Sequence, residues 1–288
     1  MVFHPAQASS PTQARPFPAP LARRIDRRRA PWLDRACFVF VLALWGIGCL
    51  GWSLAAPMLR RLLPPTRREA AGEWGIRRGF CNMLALMEWT GLARLDLAAL
   101  DALPDRPMVL ACNHPGLLDA VLVISRLRGV VCITKASLWD NWFLGGGIRL
   151  AGYIRNDQPM ALVRAGVASL SRGRRLLVFP EGTRTAPDAT VDGFRAGFAL
   201  MARAAGVPVQ TVLIECDSPY LRKGWPLVRV PKLPIAIRVR VGQQFMVEGD
   251  VRLFVTALHR YFERELGAGA GAGACEAAMA QTCPGGDR

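Results

Sequence analysis

"MVLACNHPGLLD", residues 108–119, is an apolar run followed by a histidine, a proline, a glycine and an aspartate. Its first five residues predict a buried strand, because strands that are covered on both faces are continuously apolar. Pro115 suits the first turn of a helix, so we expect His114 at a strand-to-helix junction. Ligands of open α/β sheets bind along the edge where strands end in this way. This stretch therefore predicts an α/β sheet with His114 at its ligand-binding edge.

Further apolar runs alternate with helical patterns along the chain. The runs that predict strands are VVCITK (130–135), LLVFPEG (176–182), PVQTVLIE (208–215) and IAIRVRV (235–241). Between and after them, apolar residues recur at helical spacing, once behind a plausible N-cap at Asp250. Strands that alternate with helices predict one α/β domain over residues 101–266, with a central mostly parallel or mixed sheet flanked by helices.

The two ends of the chain have other compositions. Residues 1–31 are rich in Pro, Ala, Ser and Arg, and we expect a disordered basic region there. Residues 36–59 carry no charge, and a helix of that length rises roughly 36 Å, enough to cross a bilayer core of roughly 30 Å. We therefore expect residues 32–100 to form a membrane-anchoring helical segment, either spanning or re-entrant, with a buried core helix as the alternative. The GAGAGAGA run that opens residues 267–288 predicts a flexible tail.

The charge balance indicates an anionic partner. The 37 Lys and Arg residues outnumber the 22 Asp and Glu residues, which gives a net charge of +15. Lipid headgroups, nucleic acid or an acidic carrier protein would all suit such an excess. We expect no nucleic acid, because no DNA- or RNA-binding pattern occurs in the sequence. We also expect no metal site, since the three histidines and eight cysteines include no CxxC pair.

His114 and Asp119 lie five residues apart and have the chemistry of a general base with its orienting carboxylate. A carboxylate on one ring nitrogen fixes the tautomer and leaves the other nitrogen free to take a proton from a hydroxyl. The pair corresponds to the His and Asp of a Ser-His-Asp triad, and a substrate hydroxyl would take the place of the serine. Two alternatives are a histidine that merely caps a helix and a hydrolase that uses Cys112, although no GxSxG motif occurs.

A second motif, "LLVFPEGTR" at residues 176–184, ends another predicted strand. Gly182 permits the backbone to approach a ligand closely. Arg184 offers a fork of donors that suits phosphate, and Glu181 can accept bonds from glycerol-type hydroxyls. An ordinary β-turn with a solvated arginine is the alternative.

Together, "HPGLLD" and "FPEGTR" resemble the hallmarks of the 1-acyl-sn-glycerol-3-phosphate acyltransferase family, in the family's order. The resemblance extends from residue 108 to about residue 215. Lys135 follows a strand, as a basic residue does in that family, and "GYIRND" (152–157) resembles its segment with a phosphate-binding arginine, here Arg155. Ser137 is a departure, because the family more often has a glutamate there.

The resemblance implies a membrane-bound enzyme that moves an acyl group from acyl-CoA or acyl-carrier protein to a hydroxyl of a lysophospholipid, such as 1-acyl-glycerol-3-phosphate. His114 would be the general base and Asp119 its partner. The acceptor would be bound by Glu181, Gly182, Thr183, Arg184, Arg155 and Lys135. The family implies no cofactor, and it suggests a bacterial-type inner membrane with the catalytic domain facing the cytoplasm. The departures leave a different lysolipid, for example a lyso-ornithine-type lipid, or a non-catalytic membrane adaptor as alternatives.

Overall fold

A computed structural model describes residues 30–226 and 228–281. The predicted disordered region lies outside this part except for its last two residues. The helices are α1 (Pro31–Leu62), α2 (Pro65–Trp89), α3 (Ala98–Asp101), α4 (Asp119–Arg126), α5 (Ala136–Trp139), α6 (Gly145–Leu150), α7 (Pro159–Ser171), α8 (Gly197–Ala205) and α9 (Val251–Gln281). The strands are β1 (Ala93–Asp96), β2 (Val109–Cys112), β3 (Val130–Lys135), β4 (Ile154–Asn156), β5 (Arg175–Val178), β6 (Val209–Cys216) and β7 (Ile235–Phe245).

The strands form one mixed sheet in the order β1-β7-β6-β2-β5-β3-β4. Neighbouring strands are parallel except β6 and β7, which are antiparallel. This architecture confirms the predicted α/β class with a mostly parallel or mixed sheet. The five predicted strands are all present. The strands β1 and β4 were not predicted, because segments of four and three residues carry too little periodicity.

Helices cover the sheet on both faces, and β2 lies at its centre. Leu110 and Cys112 belong to a core shared with α2 and α4, whereas Val109 and Ala111 pack in a second core with α7, α8 and α9. Successive strand residues point to opposite faces, so both sets must be apolar when both faces are covered. The double covering explains the uninterrupted apolar run before His114.

The helix α1 has one packed side and one exposed side. Phe38 and Trp45 pack against Tyr220 and Phe80, with ring centroids 5.6 and 5.7 Å apart. Of the described helices, Trp32–Leu62 alone is long and apolar enough to cross a membrane by length and composition, and only 17% of its apolar window is buried. Such exposure is unlike that of a buried core helix. The sheet domain begins earlier than residue 101, because β1 already pairs with β7.

The last helix extends further than the sequence indicated. Asp250 is its N-cap, and its Oδ1 accepts the backbone N–H groups of Arg252 and Leu253 at 2.7 and 3.1 Å. The backbone then remains helical to Gln281, through a segment that the sequence analysis assigned to a flexible tail from residue 267. The packed first turns remove the cost of nucleation, and the alanines between the glycines of residues 267–274 favour the helix while the glycines oppose it.

Candidate active site

His114 and Asp119 are hydrogen-bonded to each other at the carboxyl end of β2. His114 Nδ1 lies 2.8 Å from Asp119 Oδ2, and the Gly116 N–H donates to the same oxygen at 2.8 Å. The Asp119 side chain is 5% exposed and that of His114 is 17% exposed. The imidazole therefore has a buried partner on one nitrogen and keeps an opening to solvent.

The helix after β2 begins four residues later than the sequence predicted. Pro115 does not occupy its first turn, because α4 starts at Asp119 and its first bond runs from the Leu122 N–H to the Leu118 carbonyl. The Asp119 carboxylate accounts for the difference, since it accepts the Gly116 N–H and closes a turn before the helix. This turn brings the carboxylate back to the imidazole.

The second motif holds the backbone of the first through Glu181. Glu181 Oε1 accepts the His114 N–H at 2.8 Å, while Oε2 accepts the Thr185 hydroxyl and the Asp192 N–H at 2.8 and 2.9 Å. The Thr185 N–H donates to the His114 carbonyl at 2.8 Å. Glu181 is buried, and both of its oxygens are occupied by protein donors. Its hydrogen bonds describe a residue that positions His114, rather than one that contacts an acceptor hydroxyl as the motif suggested.

Two further residues support the site, and neither was predicted from the sequence to have a role in it. The Phe179 ring stacks on the His114 ring, with centroids 4.0 Å apart and planes 19° apart. The buried Asn113 side chain donates to the Ile214 carbonyl and accepts the Ile214 N–H, at 2.9 and 2.8 Å. The sequence held two signals for these roles: Asn113 directly precedes His114, and Phe179 is the first residue of "FPEGTR". Asn113 ties the end of β2 to β6, and Phe179 fixes the plane of the imidazole.

The other motif residues pack around this centre. Gly182 has φ +70°, and a Cβ there would lie within about 3 Å of the Arg195 side chain. Thr183 is partly exposed. Arg184 Nη1 donates to the carbonyls of Leu221 and Arg222 at 2.9 and 3.2 Å. The arginine of the motif thus anchors the connection between β6 and β7.

Lys135 and Arg155 lie further out in the sheet. Their strands β3 and β4 are two and three positions from β2, which corresponds to roughly 10 and 14 Å at ordinary strand spacing. Lys135 is exposed. Arg155 forms ion pairs with Asp140 at 2.7 Å and Asp157 at 2.6 Å. The structure therefore joins His114, Asp119, Glu181 and Arg184 closely, and it places Lys135 and Arg155 outside this network.

Comparison with known proteins identifies the family. A family model described as Acyltransferase matches residues 94–215. The lyso-ornithine lipid O-acyltransferase of Pseudomonas aeruginosa is 31% identical over 199 residues, which are 65% of this chain and 70% of that protein. The chain belongs to the glycerolipid acyltransferase family. The family membership predicted from the two motifs is thereby confirmed.

Other glycerolipid acyltransferases match as well. The 1-acyl-sn-glycerol-3-phosphate acyltransferase of Pseudomonas aeruginosa is 26% identical over 163 residues, which are 54% of this chain and 61% of that protein. The chain thus spans less than two thirds of this relative. The crystal structure of the 1-acyl-sn-glycerophosphate acyltransferase PlsC from Thermotoga maritima superposes with a TM-score of 0.58 at 17% identity, over 82% of this chain and 95% of that one. This likeness shows a shared fold.

The electrostatics of this glycerolipid acyltransferase site are dominated by burial. Burial raises the pKa of the Asp119 carboxyl, against the opposing hydrogen bonds from His114 and Gly116. Burial also raises the pKa of Glu181, against the bonds from Asp192, Thr185 and His114. Each carboxylate is held in a site that desolvates its charge, and hydrogen bonds to the charged form compensate in part.

Cys112 behaves as a core residue. It is fully buried among apolar side chains. Burial, and next the Asp119 charge, raise the pKa of its thiol well above the ordinary value. Because the thiolate is the nucleophilic form, this environment disfavours the alternative of a cysteine hydrolase.

Proposed function

We propose that this chain transfers an acyl group from a thioester donor to a hydroxyl of a lysolipid, with His114 as general base. The observation that carries the proposal is the 2.8 Å bond from His114 Nδ1 to the buried Asp119, with the imidazole still open to solvent. This arrangement leaves Nε2 to accept a proton.

The reaction balances without a covalent enzyme intermediate. The acceptor hydroxyl gives its proton to His114 Nε2 while its oxygen attacks the thioester carbonyl of acyl-CoA or acyl-carrier protein. The tetrahedral intermediate then expels the thiolate, which takes the proton from the imidazolium. Asp119 stabilises the imidazolium in between. The amides of Gly116 and Gly182 are already bonded to Asp119 and Phe179, so the oxyanion requires other donors.

The acceptor is proposed to be a lysophospholipid such as 1-acyl-glycerol-3-phosphate. A lyso-ornithine-type lipid is the second candidate, because the P. aeruginosa enzyme named for that substrate is 31% identical over 70% of its length. The enzyme named for 1-acyl-glycerol-3-phosphate is 26% identical over 61% of its length. Both acceptors offer a hydroxyl beside an anionic group.

We further propose that α1 anchors the chain in a membrane. The support is its exposed apolar surface and its arginine-rich flanks. A bacterial-type inner membrane, with the sheet domain on the cytoplasmic side, would expose the site to acyl-CoA and acyl-carrier protein. The cytoplasmic placement rests on those donors, because arginines flank both ends of α1 and the positive-inside rule then selects neither side.

The decisive assay incubates the purified protein with labelled acyl-CoA or acyl-carrier protein and each of the two lysolipids. We expect transfer by the natural sequence, and His114→Ala is expected to lower turnover by about 10³-fold or more. His259→Ala is the matched control, because this second described histidine lies on α9 and packs against Phe194. Unchanged turnover in His114→Ala would refute the base role. No product from the natural sequence with any acceptor would favour a non-catalytic adaptor.

A further inference from the structure

The start of the connection between β6 and β7, residues 217–222, lies over the catalytic turn. The Tyr220 carbonyl lies 3.7 Å from the position that a Cβ at Gly116 would take. Leu221 is buried and has φ +62°, a conformation that residues with a side chain rarely adopt. Arg184 donates to the carbonyls of Leu221 and Arg222 and so holds this backbone in place. Residues 220–222 therefore form a wall of the site.

A cavity lies between this wall and the catalytic turn. Its lining includes Gly116, Asp119, Cys216, Tyr220 and Arg222. Arg222 is partly buried there, and within the described residues no carboxylate lies close enough to form an ion pair with it. A partly desolvated guanidinium without a counterion provides a strong site for an anion.

The arginines of the family motifs make contacts within the protein. Arg184 Nη1 is bonded to two backbone carbonyls, and Arg155 is neutralised by Asp140 and Asp157. Arg155 is therefore paired, whereas Arg184 keeps its charge and has one nitrogen committed to the β6–β7 connection. Arg222 lines the same cavity as Asp119, and its charge is free.

We infer that Arg222 binds the anionic group of the lipid acceptor, a phosphate or a carboxylate, and that the β6–β7 connection thereby selects the acceptor. This inference rests on the proposed function and specifies the acceptor contact of that same site. The planar guanidinium of Arg222 offers a fork of donors that suits either anion in a bidentate arrangement. A neutral monoacylglycerol would gain nothing from this contact.

The test compares Arg222→Gln with Lys223→Gln, an exposed cation on the next residue that does not line the cavity. For lysophosphatidate and lyso-ornithine lipid, Arg222→Gln should raise the acceptor KM about ten-fold or more, as loss of a charged hydrogen bond does. The donor KM and the turnover of monoacylglycerol should change by less than about two-fold, and Arg222→Lys should restore part of the loss. The acceptor whose KM rises more identifies the anion that Arg222 binds.

Each outcome has a defined meaning. Equal losses for the anionic and neutral acceptors, or an unchanged KM for both anionic ones, would overturn the inference. If the natural sequence transfers no acyl group, the proposed function fails, and equilibrium binding of labelled lysophosphatidate in detergent then tests Arg222 by itself. Binding that weakens about ten-fold in Arg222→Gln but not in Lys223→Gln supports the contact. Equal affinities would contradict it.

Discussion

The two buried carboxylates of the site accept hydrogen bonds in different ways. Both donors to Asp119, from His114 and Gly116, go to Oδ2, and Oδ1 accepts no hydrogen bond within the described structure. Glu181 receives donors on both oxygens. An amide in place of the carboxylate can therefore turn its NH₂ away from donors at residue 119, but not at residue 181. The two residues should respond differently to the same change.

Asp119→Asn is expected to remove activity without loss of stability. A neutral asparagine cannot stabilise the imidazolium that forms during transfer, and a matching change in a serine protease lowers kcat about 10⁴-fold. The free energy of unfolding at pH 7 should not fall, because the buried charge is removed while one oxygen remains for the Gly116 N–H. Turnover and thermal unfolding of both proteins check this. A variant that is active within ten-fold, or that melts clearly earlier, would contradict it.

The pH dependence of the same pair has a defined sign. Because burial raises the pKa of Asp119, the folded state takes up a proton at a pH where the unfolded chain is still ionised. The contribution of Asp119 to stability therefore increases as the pH falls from the raised pKa towards the ordinary value near 4. The natural sequence should gain stability relative to Asp119→Asn over this window. Its kcat/KM should fall there, since a protonated carboxyl no longer supports the imidazolium.

Glu181→Gln is expected to damage both folding and turnover. One N–H of the amide must face a backbone donor, either that of His114 or that of Asp192, so the free energy of unfolding should fall by about 1–3 kcal/mol. Because either arrangement weakens the support of the His114 backbone, kcat should fall more than the acceptor KM rises. Glu263→Gln is the control, since that half-exposed carboxylate on α9 pairs with His259 at 3.6 Å. A variant with unchanged stability and kcat would show that Glu181 does not position His114.

At the scale of elements, a glycine decides how α2 packs against α6. A Cβ at Gly72 would lie 2.3 Å from the Ala151 backbone nitrogen and 2.4 Å from the Leu150 carbonyl carbon. Backbone atoms cannot yield as a flexible side chain does. The close approach of α2 to the end of α6 therefore requires glycine at this position.

Gly72→Ala and Gly79→Ala should change stability in opposite directions. Gly79 lies on the same helix and has open space around its Cα, so alanine there should stabilise the helix by roughly 0.5–1 kcal/mol. At Gly72 the overlap should cost about 1–3 kcal/mol, because the two helices must separate. Denaturant unfolding of both variants measures the difference. A stabilising Gly72→Ala would mean that α2 and α6 are further apart than described here.

At the scale of the whole molecule, one side of α1 packs against the sheet domain and the other side is exposed. Phe38 on α1 contacts Tyr220, which lines the cavity beside Asp119. On the opposite side of the helix, Ile47 and Leu54 are each 66% exposed. If α1 is the anchor proposed above, a membrane on this side would lie one helix diameter, roughly 10 Å, from the cavity beside Asp119.

Membrane binding is expected to depend on that exposed side. Ile47→Glu with Leu54→Glu should abolish flotation with lipid vesicles after removal of detergent, because each charge in the bilayer core costs about 2.5–3.5 kcal/mol. Met160→Glu with Leu253→Glu is the matched control, since these residues on α7 and α9 are 69% and 64% exposed. Equal flotation of both double variants would exclude α1 as the anchor.

The sequence by itself determined those features that depend on residues close together in the chain. Apolar runs mark β2, β3, β5, β6 and β7, because a strand covered on both faces needs apolar side chains throughout. The His114–Asp119 bond was also predictable, since a single turn closes it. The apolar length of α1 follows directly from composition. The order of the two motifs was enough to indicate the family.

Only the tertiary structure decided the contacts between distant segments. Glu181 lies 67 positions from the His114 N–H that it accepts, and Arg184 lies 37 positions from the Leu221 carbonyl. The motif pattern suggested substrate contacts for both residues, and sequence spacing carries no information about which buried donors and carbonyls need a partner. Short strands such as β4 are defined by their neighbours rather than by their own residues. Burial, which sets the pKa of Asp119, exists only once the whole chain has closed around it.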